Sequence, residues 1–462
     1  MKVITSYSVR VSPVTGAEHS VTKSELYKAL ADTVDIYRDA VDFFSDVTLE
    51  HWDTIGPLGN AKDRLSGIET LTITTKARPE VDTPFGEGKF CKYPVTYRRA
   101  AINKATGRVS SYKSNLANRD GSPEGKKPCL GGCGREYPTL YRGGSYKEGV
   151  GYVCEIKLFI HNTWDWVTIK LRKGDVDYIN KHCGTRKKLC PTLRRRGKVW
   201  SLDFTFEEYL DLADADISNR VILAVDLGIN NAATVVAMQT DGTILGRRFL
   251  KLPQEEDSLL HAVNRIKKAQ QHGARKMPRL WAKAKGINDD IASKTAEFII
   301  YWAAYYHVDV IVFEHLDLKG RRSKRQRLHL WKAQAVQRIV TDKAHRMRMR
   351  ISRVCAWGTS KLAYDGSGCV KRGINGNYSI CRFKSGKTYN CDLSAGYNIG
   401  ARYCIREIVK SLPETVRLAL EAKVPQVAKR STCTYSTLIS LVAELGELAL
   451  PADGKSCIPE AT

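Results

Sequence analysis

The sequence has no apolar run of the roughly 20 residues that a membrane-spanning helix requires. Its start, MKVITSYSVRVSP, also lacks the apolar stretch of a secretory signal. Acidic residues are few beside basic ones, with 49 Asp and Glu against 74 Lys and Arg. These absences predict a soluble protein of the cytoplasm that has no membrane partner and carries a strongly positive surface.

Paired cysteines are also missing. The chain has 13 cysteines, and without a secretory signal they favour a reducing compartment over a disulfide framework. Cys369, Cys381 and Cys391 show none of the Cys-x2-Cys spacing that is typical of structural zinc sites. Free, partly buried thiols are the favoured interpretation. The alternative is an irregular zinc site completed by Cys355, Cys404 or a histidine.

The excess of basic residues predicts a polyanionic partner. The formal net charge is +25 and the pI is near 9.5. Between Lys319 and Arg353 thirteen Lys and Arg stand against one acid, Asp342. A solvated basic helix or a localisation signal would look similar, but the interleaved apolar residues favour nucleic-acid binding. The residues predicted to contact nucleic acid are Arg321, Arg322, Lys324, Arg325, Arg327 and Lys332.

Three carboxylates stand at the expected ends of buried elements, in the order Asp, Glu, Asp. Asp226 follows VILAV, Glu314 follows VIVF, and Asp392 opens the segment CDLSAGYNIGARY, which has a helical pattern. Each has an ordinary alternative: Asp226 could cap a turn, Glu314 could pair with an arginine, and Asp392 could be an N-cap. Charged residues rarely end buried strands without a partner. Together the three favour a shared site for a divalent metal ion.

The segments around these carboxylates predict an α/β core of the RNase H-like type. Short β-rich runs at 221–226, 234–238 and 244–250 predict three strands. A helical pattern at 288–306 followed by the apolar run 308–313 predicts strand–helix–strand with a parallel pairing. Asp226 and Glu314 would then lie at neighbouring strand ends. Two Mg²⁺ ions about 4 Å apart at such a site could activate a water molecule and stabilise the leaving oxygen of a phosphodiester.

The N-terminal half predicts a helical domain inserted into a β domain. Residues 3–11 alternate like a strand, and 22–52 have the apolar spacing of a helix. The polar stretch 101–127 is predicted to be a loop or linker. Further short strands within 137–206 predict a small barrel or sandwich.

A basic helical stretch follows the third predicted core strand, at 254–286. Gly273 and Pro278 are expected to interrupt it. Packing on the sheet and lining a nucleic-acid channel are equally open roles for this stretch.

Three motifs, AVDLGINN, VDVIVFEHLDLKG and CDLSAGYNIGARY, resemble in order and context the three RuvC motifs of the TnpB-type nucleases of insertion-sequence transposons. These nucleases are relatives of the miniature type V CRISPR effectors. The resemblance is close over 222–403 and loose elsewhere. The third motif departs from the family pattern D-x-N-A-A-x-N-I at Ser394 and Gly396. The paired spacing of the family's four-cysteine zinc module is also missing, which puts a bound Zn²⁺ in doubt.

The resemblance implies an RNA-guided DNA endonuclease that acts at the nucleoid of a prokaryotic cell. Its partners would be a guide RNA and double-stranded target DNA, and the protein would read a short motif beside the target. Asp226, Glu314 and Asp392 would be the Mg²⁺ ligands, with Mn²⁺ as a substitute. Asn398 would either orient a ligand or serve the structure.

The resemblance also implies a domain order. A β-barrel-like wedge domain would comprise 1–13 and 128–215, with a helical recognition domain, 14–127, inserted in it. A RuvC nuclease domain would comprise 216–353 and 391–410. A zinc-finger-like segment that binds target nucleic acid, 354–390, would be inserted in the nuclease domain, and a tail, 411–462, would follow.

Three other functions share part of this sequence pattern. A transposase or integrase would order its acids Asp, Asp, Glu, so the observed order counts against recombination. An RNA-guided repressor without cleavage would be expected to have lost a carboxylate, and all three are present. A CRISPR-associated effector with a CRISPR-derived guide would share the chemistry, and the sequence does not separate it from a transposon-encoded nuclease. The oligomeric state, the flanking motif and the cut positions cannot be read from the sequence.

Overall fold

The computed structural model of the chain describes residues 1–16, 19–120, 127–228, 231–316, 332–374, 376–429 and 431–449. The chain divides into two compact units, one formed by Lys2–Tyr209 and the other by Met1 together with Leu210–Thr462. Each unit combines β-sheet with helices around apolar side chains. The predicted mixed α/β class is therefore confirmed.

The first unit is built on an antiparallel sheet. Its strands are β1 (Lys2–Pro13), β2 (Tyr146–Glu148), β3 (Val153–Ile160), β4 (Thr163–Leu171), β5 (Lys187–Lys188), β6 (Thr192–Arg196) and β7 (Val199–Tyr209). Its helices are α1 (Lys23–Glu50), α2 (Trp52–Ile55), α3 (Ala61–Thr72), α4 (Val95–Asp120) and α5 (Lys173–Cys183). The strand order is β2-β3-β4-β1-β7-β5, with β6 paired to β7. Helices α1 to α4 thus separate β1 in sequence from the strands that pair with it.

Helix α1 begins where the sequence predicts. Thr22 is its N-cap, and the Thr22 Oγ1 accepts a hydrogen bond from the backbone N of Glu25 at 3.3 Å. The Glu25 carboxylate in turn accepts from the backbone N of Thr22 at 2.9 Å, which completes a capping box. The predicted helix over 22–52 is confirmed by α1 and the short α2 that follows.

Helix α4 corrects the prediction of a loop over 101–127. Its sequence is mostly polar, but Tyr97, Ala101, Ala105 and Val109 recur every fourth residue and are all buried. Residues at this spacing share one helix face, and that face packs with α1 in the apolar core of the unit. The polar residues on the other faces concealed this narrow stripe.

The second unit holds a mixed sheet and a separate small sheet. Its strands are β8 (Val221–Asp226), β9 (Ala233–Gln239), β10 (Ile244–Leu250), β11 (Val310–His315), β12 (Arg350–Cys355), β13 (Lys371–Ile374), β14 (Asn377–Arg382) and β15 (Thr388–Asn390). Its helices are α6 (Pro253–Gln271), α7 (Pro278–Tyr305), α8 (Ala333–Arg346), α9 (Cys391–Ser411), α10 (Glu414–Lys423) and α11 (Tyr435–Ala449). The small sheet has the order β13-β14-β15.

The mixed sheet has the order β10-β9-β8-β11-β12. Strand β9 is antiparallel to both of its neighbours, β8 and β10, whereas β11 runs parallel to both β8 and β12. Ile222 and Ala224 face the apolar cluster of α9, α10 and α11, and Leu223 and Val225 face the cluster of α7 and α8. A sheet covered on both faces explains why β8 and β11 are continuous apolar runs.

The predicted break at Gly273 and Pro278 is confirmed, because α6 ends at Gln271 and α7 begins at Pro278. The predicted start of the second helix near Asn288 is wrong. Pro278 occupies the first turn, where its missing N–H costs no hydrogen bond, and Asn288 is buried inside the helix. The polar residues Asn288, Asp289 and Asp290 therefore lie in the middle of α7 rather than at its start.

Two glycines bring α9 unusually close to the sheet. A Cβ on Gly396 would stand 2.8 Å from Val236 Cγ2, and one on Gly400 would stand 2.5 Å from Met238 Sδ. Any larger residue would push the helix away from β9. Because Asp392 lies one turn before Gly396, this contact also fixes how far Asp392 stands from the strand ends.

Candidate active site

Asp226 and Glu314 lie at the carboxyl ends of two neighbouring parallel strands. β8 ends at Asp226, and Glu314 is the penultimate residue of β11. The strand register pairs Val225 with Phe313, so the next residue on each strand is the carboxylate. Both side chains are partly buried. The predicted placement at adjacent strand ends is confirmed.

Asp392 reaches the same group from the first turn of α9. Asn390 caps the helix, and its Oδ1 accepts hydrogen bonds from the backbone N of Asp392 and of Leu393, both at 3.0 Å. The alternative in which Asp392 is itself the N-cap is therefore wrong. Its carboxylate instead accepts a 2.5 Å hydrogen bond from Nδ2 of Asn231, which lies between β8 and β9.

The three carboxylates act on one another electrostatically. Burial raises the pKa of Asp226 well above its usual range, and the negative charges of Glu314 and Asp392 raise it further. Arg372 on β13 lowers that pKa in part. Burial also raises the pKa of Glu314, against a hydrogen bond from Thr359 that lowers it. Carboxylates whose ionisation is disfavoured in this way would be stabilised by a cation among them.

The donor chemistry suits a hard divalent cation. Carboxylate oxygens are the ligands that Mg²⁺ prefers. The Oδ1 of Asn231, beside Asp392, is buried without a hydrogen-bond partner. In the part of the chain that the structure describes, no three His, Cys, Asp or Glu side chains are already arranged as a metal-binding group. The fit therefore rests on donor type and charge, and Asp226, Glu314 and Asp392 are the residues that would hold the ion.

Glu314 is held by groups from two other elements. The Thr359 hydroxyl, on the loop after β12, donates a hydrogen bond to Glu314 Oε1. From α8, Gln337 Nε2 donates to the Glu314 backbone O at 3.0 Å. The described hydrogen-bond partner of the carboxylate is thus a hydroxyl, and an arginine, Arg402, acts on it through its charge alone.

Asn398 on α9 fixes the loop that carries Thr359. Its Nδ2 donates to the backbone O of Thr359 at 3.0 Å and of Leu362 at 2.9 Å. Its Oδ1 accepts from the backbone N of Tyr435 at 3.0 Å. Asn398 was expected either to orient a ligand or to serve the structure, and these contacts assign it to the structure.

Arg402, one turn further along α9, is a buried cation whose hydrogen-bond partners among the described residues are all backbone carbonyls. It donates to the O atoms of Cys355 at 2.6 Å, Trp357 at 2.8 Å, Ser431 at 2.8 Å and Cys433 at 3.1 Å. Burial lowers its pKa, and the negative charge of the nearby carboxylate Glu314 opposes that shift. Arg402 therefore anchors both the start of the loop after β12 and the segment before α11.

Sequence reasoning did not find Asn231, Thr359, Arg372 or Arg402. Asn231 had a weak signal, since it stands inside the AVDLGINN motif. Arg402 had a similar signal, since it stands inside the CDLSAGYNIGARY motif. Thr359 had none, because its contact with Glu314 joins residues 45 positions apart. Arg372 lies in a Gly-rich and Lys-rich stretch where no single basic residue stands out.

Most of the predicted nucleic-acid contacts lie outside the described residues. These are Arg321, Arg322, Lys324, Arg325 and Arg327. Lys332 is described, and its Nζ forms an ion pair with Asp289 of α7. Part of its charge is therefore compensated within the protein, and its contact with nucleic acid stays a prediction.

Cys381 on β14 and Cys391 at the start of α9 pack with Ala363 and Phe383 in one apolar cluster. The Cys381 thiol donates a hydrogen bond to the backbone O of Tyr389 at 3.4 Å. Burial raises the pKa of Cys381 to about 12 and also raises that of Cys391. Cys369 is exposed. Zinc binds thiolates, so protonated thiols agree with the free-thiol interpretation, which stays a prediction.

Comparison with known proteins gives one family match, confined to the N-terminal part. Residues 17–160 match the model of the Aq_aa04 family. An uncharacterized protein of Aquifex aeolicus (strain VF5), aq_aa04, is 34% identical over 104 residues, which are 20% of this chain and 56% of that protein. The chain thus spans about half the length of this curated relative. The family match does not include Asp226, Glu314 or Asp392.

Several solved structures are similar to this chain. A Cas12f1–sgRNA–target DNA complex is 11% identical, with 91% of this chain and 82% of that chain covered and a TM-score of 0.48. C2c1 of Alicyclobacillus acidoterrestris in complex with single-guide RNA is 9% identical, with 77% and 64% covered and a TM-score of 0.40. CasPhi-2 (Cas12j) bound to crRNA and phosphorothioate DNA is 13% identical, with 55% and 58% covered and a TM-score of 0.37. These TM-scores are below 0.5, so the likenesses carry no argument about this chain.

Among the residues described above, no helix is both long enough and apolar enough to cross a bilayer.

Proposed function

We propose that this chain is an RNA-guided DNA endonuclease. The observation that carries the proposal is the meeting of Asp226, Glu314 and Asp392, from three distant parts of the sequence. Burial raises the pKa of Asp226 and of Glu314, and the negative charges of Glu314 and Asp392 raise that of Asp226 further. The strand order β10-β9-β8-β11-β12, with the parallel pair β8 and β11 at its centre, supports an RNase H-like nuclease core of the RuvC kind. The net charge of +25 supports a nucleic-acid substrate.

Sequence specificity is assigned to a guide RNA. The resemblance of the three motifs to the TnpB-type nucleases supports this part of the proposal. The guide would pair with one strand of double-stranded target DNA, while the protein reads a short motif beside the target. A guide from a transposon end or from a CRISPR array would serve the same chemistry.

The proposed cofactor is Mg²⁺, with Mn²⁺ as a substitute, held by Asp226, Glu314 and Asp392. When bound, the ion supplies Lewis-acid stabilisation of the charge on the phosphate under attack. The surrounding residues keep the carboxylates in place: the Asn231 amide holds Asp392, and the Thr359 hydroxyl holds Glu314. Rigid support of this kind limits the reorganisation that the reaction requires.

Arg372 has a separate role in the proposal. Its positive charge acts on Asp226, and its Nη2 donates to the backbone O of Ser360 at 2.7 Å, which fixes the side chain near the loop of Thr359. A phosphate entering among three carboxylates would be repelled, and a nearby guanidinium reduces that repulsion. Arg372 therefore helps to bind the substrate phosphate.

The proposal is tested by reconstitution. RNA that copurifies with the chain is sequenced to identify the guide. The protein and that guide are then incubated with a labelled duplex library that carries the complementary target beside randomised flanks. Mg²⁺-dependent cleavage of the targets with one flanking motif is expected, and a guide of scrambled sequence is the matched control.

Two outcomes would contradict the proposal. Specific binding without cleavage in Mg²⁺ or Mn²⁺ would favour the repressor-like alternative. Cleavage that does not depend on the guide sequence would mean that the chain is a nuclease that is not guided by RNA.

Charge in the basic segment should control nucleic-acid affinity. Replacing Arg321, Arg322, Lys324, Arg325 and Arg327 together with Gln is expected to weaken binding and to flatten its salt dependence. Each lost phosphate contact lowers the magnitude of the slope of log K against log salt by about 0.9 for duplex DNA, so five would lower it by about 4.5. Affinity is measured over a series of salt concentrations.

The matched control keeps the charge. A variant in which the four arginines of this set become lysine should retain the parent slope, because a phosphate contact releases the same counterions with either residue. An unchanged slope in the Gln variant would mean that the segment is a solvated face.

Cation binding should be linked to proton release at Asp226. The pKa of Asp226 is higher in the folded chain than in the unfolded chain. Without a divalent cation, the contribution of this group to the free energy of unfolding therefore falls as the pH rises from the unfolded pKa through the folded pKa. Mg²⁺ is therefore expected to raise the Tm more at mildly alkaline than at mildly acidic pH. A few degrees are expected, since about 1 kcal/mol shifts the Tm of a domain of this size by about 2–4 °C.

The readout is thermal unfolding with and without Mg²⁺ across a pH series. Asp226→Asn should remove most of the pH dependence of the Mg²⁺ effect. An equal effect of Mg²⁺ at all pH values, in the parent and in this variant, would place the cation elsewhere.

A further inference from the structure

Trp357 is a large aromatic residue that the fold leaves in solvent. It is 69% exposed, and it lies on the loop that follows β12. Strands β11 and β12 run parallel with Glu314 opposite Val354, so this loop leaves the sheet at the edge where Glu314 stands. The hydroxyl of Thr359, two residues after Trp357, donates a hydrogen bond to the Glu314 carboxylate. The exposed ring is therefore tied to the carboxylate through a short piece of backbone.

The backbone that carries Trp357 is held on both sides. Its own carbonyl accepts from Arg402 at 2.8 Å, and the carbonyl of Cys355 accepts from the same guanidinium at 2.6 Å. Beyond the ring, Asn398 holds the carbonyl of Thr359. Gly358 has a φ of +78°, a conformation that favours glycine, so the turn after Trp357 is also specified. The ring of Trp357 is therefore presented to solvent from a constrained point of the backbone.

A cation accompanies the ring. Lys361 Nζ stands 5.6 Å from the centroid of the Trp357 ring, and the Lys361 side chain is exposed. From the other side of the loop, Arg372 donates to the backbone O of Ser360 at 2.7 Å. The loop thus combines one exposed aromatic face with positive charge, which matches a nucleotide that presents a base and a phosphate together.

We propose that Trp357 is a stacking platform for an unpaired base of the strand that enters the carboxylate site, with Lys361 contacting a neighbouring phosphate. The inference rests on the proposed function and deepens it. Bases in a duplex already stack on one another, so a free aromatic face selects a single-stranded segment. The substrate class at this site is therefore single-stranded nucleic acid, and Trp357 positions it without taking part in the chemistry.

The test separates the base from the phosphate backbone. Parent, Trp357→Phe and Trp357→Leu are titrated, in the presence of EDTA, with a fluorescently labelled single-stranded oligothymidylate and with an abasic oligomer of equal length. Trp357→Leu is expected to weaken oligothymidylate binding about tenfold, in the range found for loss of one stacked base. Trp357→Phe should remain close to the parent, and all three proteins should bind the abasic oligomer equally.

Tyr301→Leu is the matched control, because Tyr301 is 60% exposed on α7 and belongs to neither the loop nor the carboxylate group. It should leave both affinities unchanged. A second measurement keeps the test decisive if other basic surfaces dominate oligomer binding. Guided cleavage rates are measured on a series of targets, each with one abasic position at a different place along the strand. The parent should cut one of these targets more slowly than the intact target. Trp357→Leu should cut that target and the intact target at the same rate.

Equal oligothymidylate binding by Trp357→Leu and the parent, together with no position-specific slowing, would overturn the inference. A loss of affinity for both oligomers would also overturn it, since that result would mean damage to the loop rather than loss of stacking. Failure of the proposed function looks different. The parent would then show no guided, Mg²⁺-dependent cleavage, whatever the result of the EDTA titrations.

Discussion

Replacing Asp226 with Asn, Glu314 with Gln or Asp392 with Asn is expected to lower guided DNA cleavage by about 10³-fold or more. Each change keeps the shape of the side chain and removes one negative ligand. Loss of Lewis-acid stabilisation costs several kcal/mol in the transition state, and about 1.4 kcal/mol is tenfold in rate. Binding of guide and target should persist, because phosphate contacts elsewhere remain. Single-turnover cleavage and filter binding give the two quantities.

Stability distinguishes a lost ligand from a damaged fold. Asp226 has a raised pKa, so its charge destabilises the folded chain at neutral pH when no cation is bound. Asp226→Asn should therefore leave the Tm unchanged or raise it while cleavage disappears. Asp342→Asn, on the exposed side of α8, removes the same charge away from the site and should change neither cleavage nor Tm appreciably.

Cleavage at the parent rate by any one of the three variants would remove that residue from the site. A lower Tm in Asp226→Asn would mean that the carboxylate serves the structure, and its interpretation as a cation ligand would be wrong.

Replacing Arg402 with Met should cause a large loss of stability. Arg402 is buried and donates to four backbone carbonyls, and Met fills similar space without a donor. Buried carbonyls left without partners cost about 1–3 kcal/mol each. Since some would reach water, a decrease of about 3–5 kcal/mol in the free energy of unfolding of this unit is expected. Denaturant titration measures it, and Arg402→Lys should lose less.

The same variant should impair the site indirectly. Arg402 holds the carbonyls of Cys355 and Trp357, and the loop they begin carries the hydroxyl that holds Glu314. Folded Arg402→Met is therefore expected to cut more slowly than the parent at saturating Mg²⁺. Lys410→Met is the control on the same helix, because Lys410 is exposed and is paired with Glu407 of that helix. Parent stability in Arg402→Met would contradict the anchoring role.

The arrangement of β8, β11 and α9 could be predicted because local pattern and burial agree there. Asp226 and Glu314 each follow a continuous apolar run. Because both faces of the sheet are covered, such a run indicates a buried strand, and a carboxylate at its end indicates a functional site. Asp392 stands at the start of a strong helical pattern, so its element was also readable. The pattern did not show that Asn390 rather than Asp392 is the cap, since both residues are good N-caps.

The residues that support the carboxylates could not be read in the same way. Thr359, Asn398 and Arg402 act through contacts between segments that only the folded chain brings together. No periodicity marks such residues, because each satisfies one particular carbonyl or carboxylate. Helix α4 was missed for a related reason: its buried stripe is narrow, and its stability comes from packing against α1 rather than from its own composition.

The carboxylates enter the chain at positions 226, 314 and 392 of 462. During translation at about 5–20 residues per second, the growing chain therefore completes its first unit well before α9 emerges to bring the third carboxylate. On the proposed function, a nascent chain can therefore fold its first unit while it still lacks the third carboxylate and is unable to cut. The order of synthesis thus delays nuclease activity until most of the chain has been made.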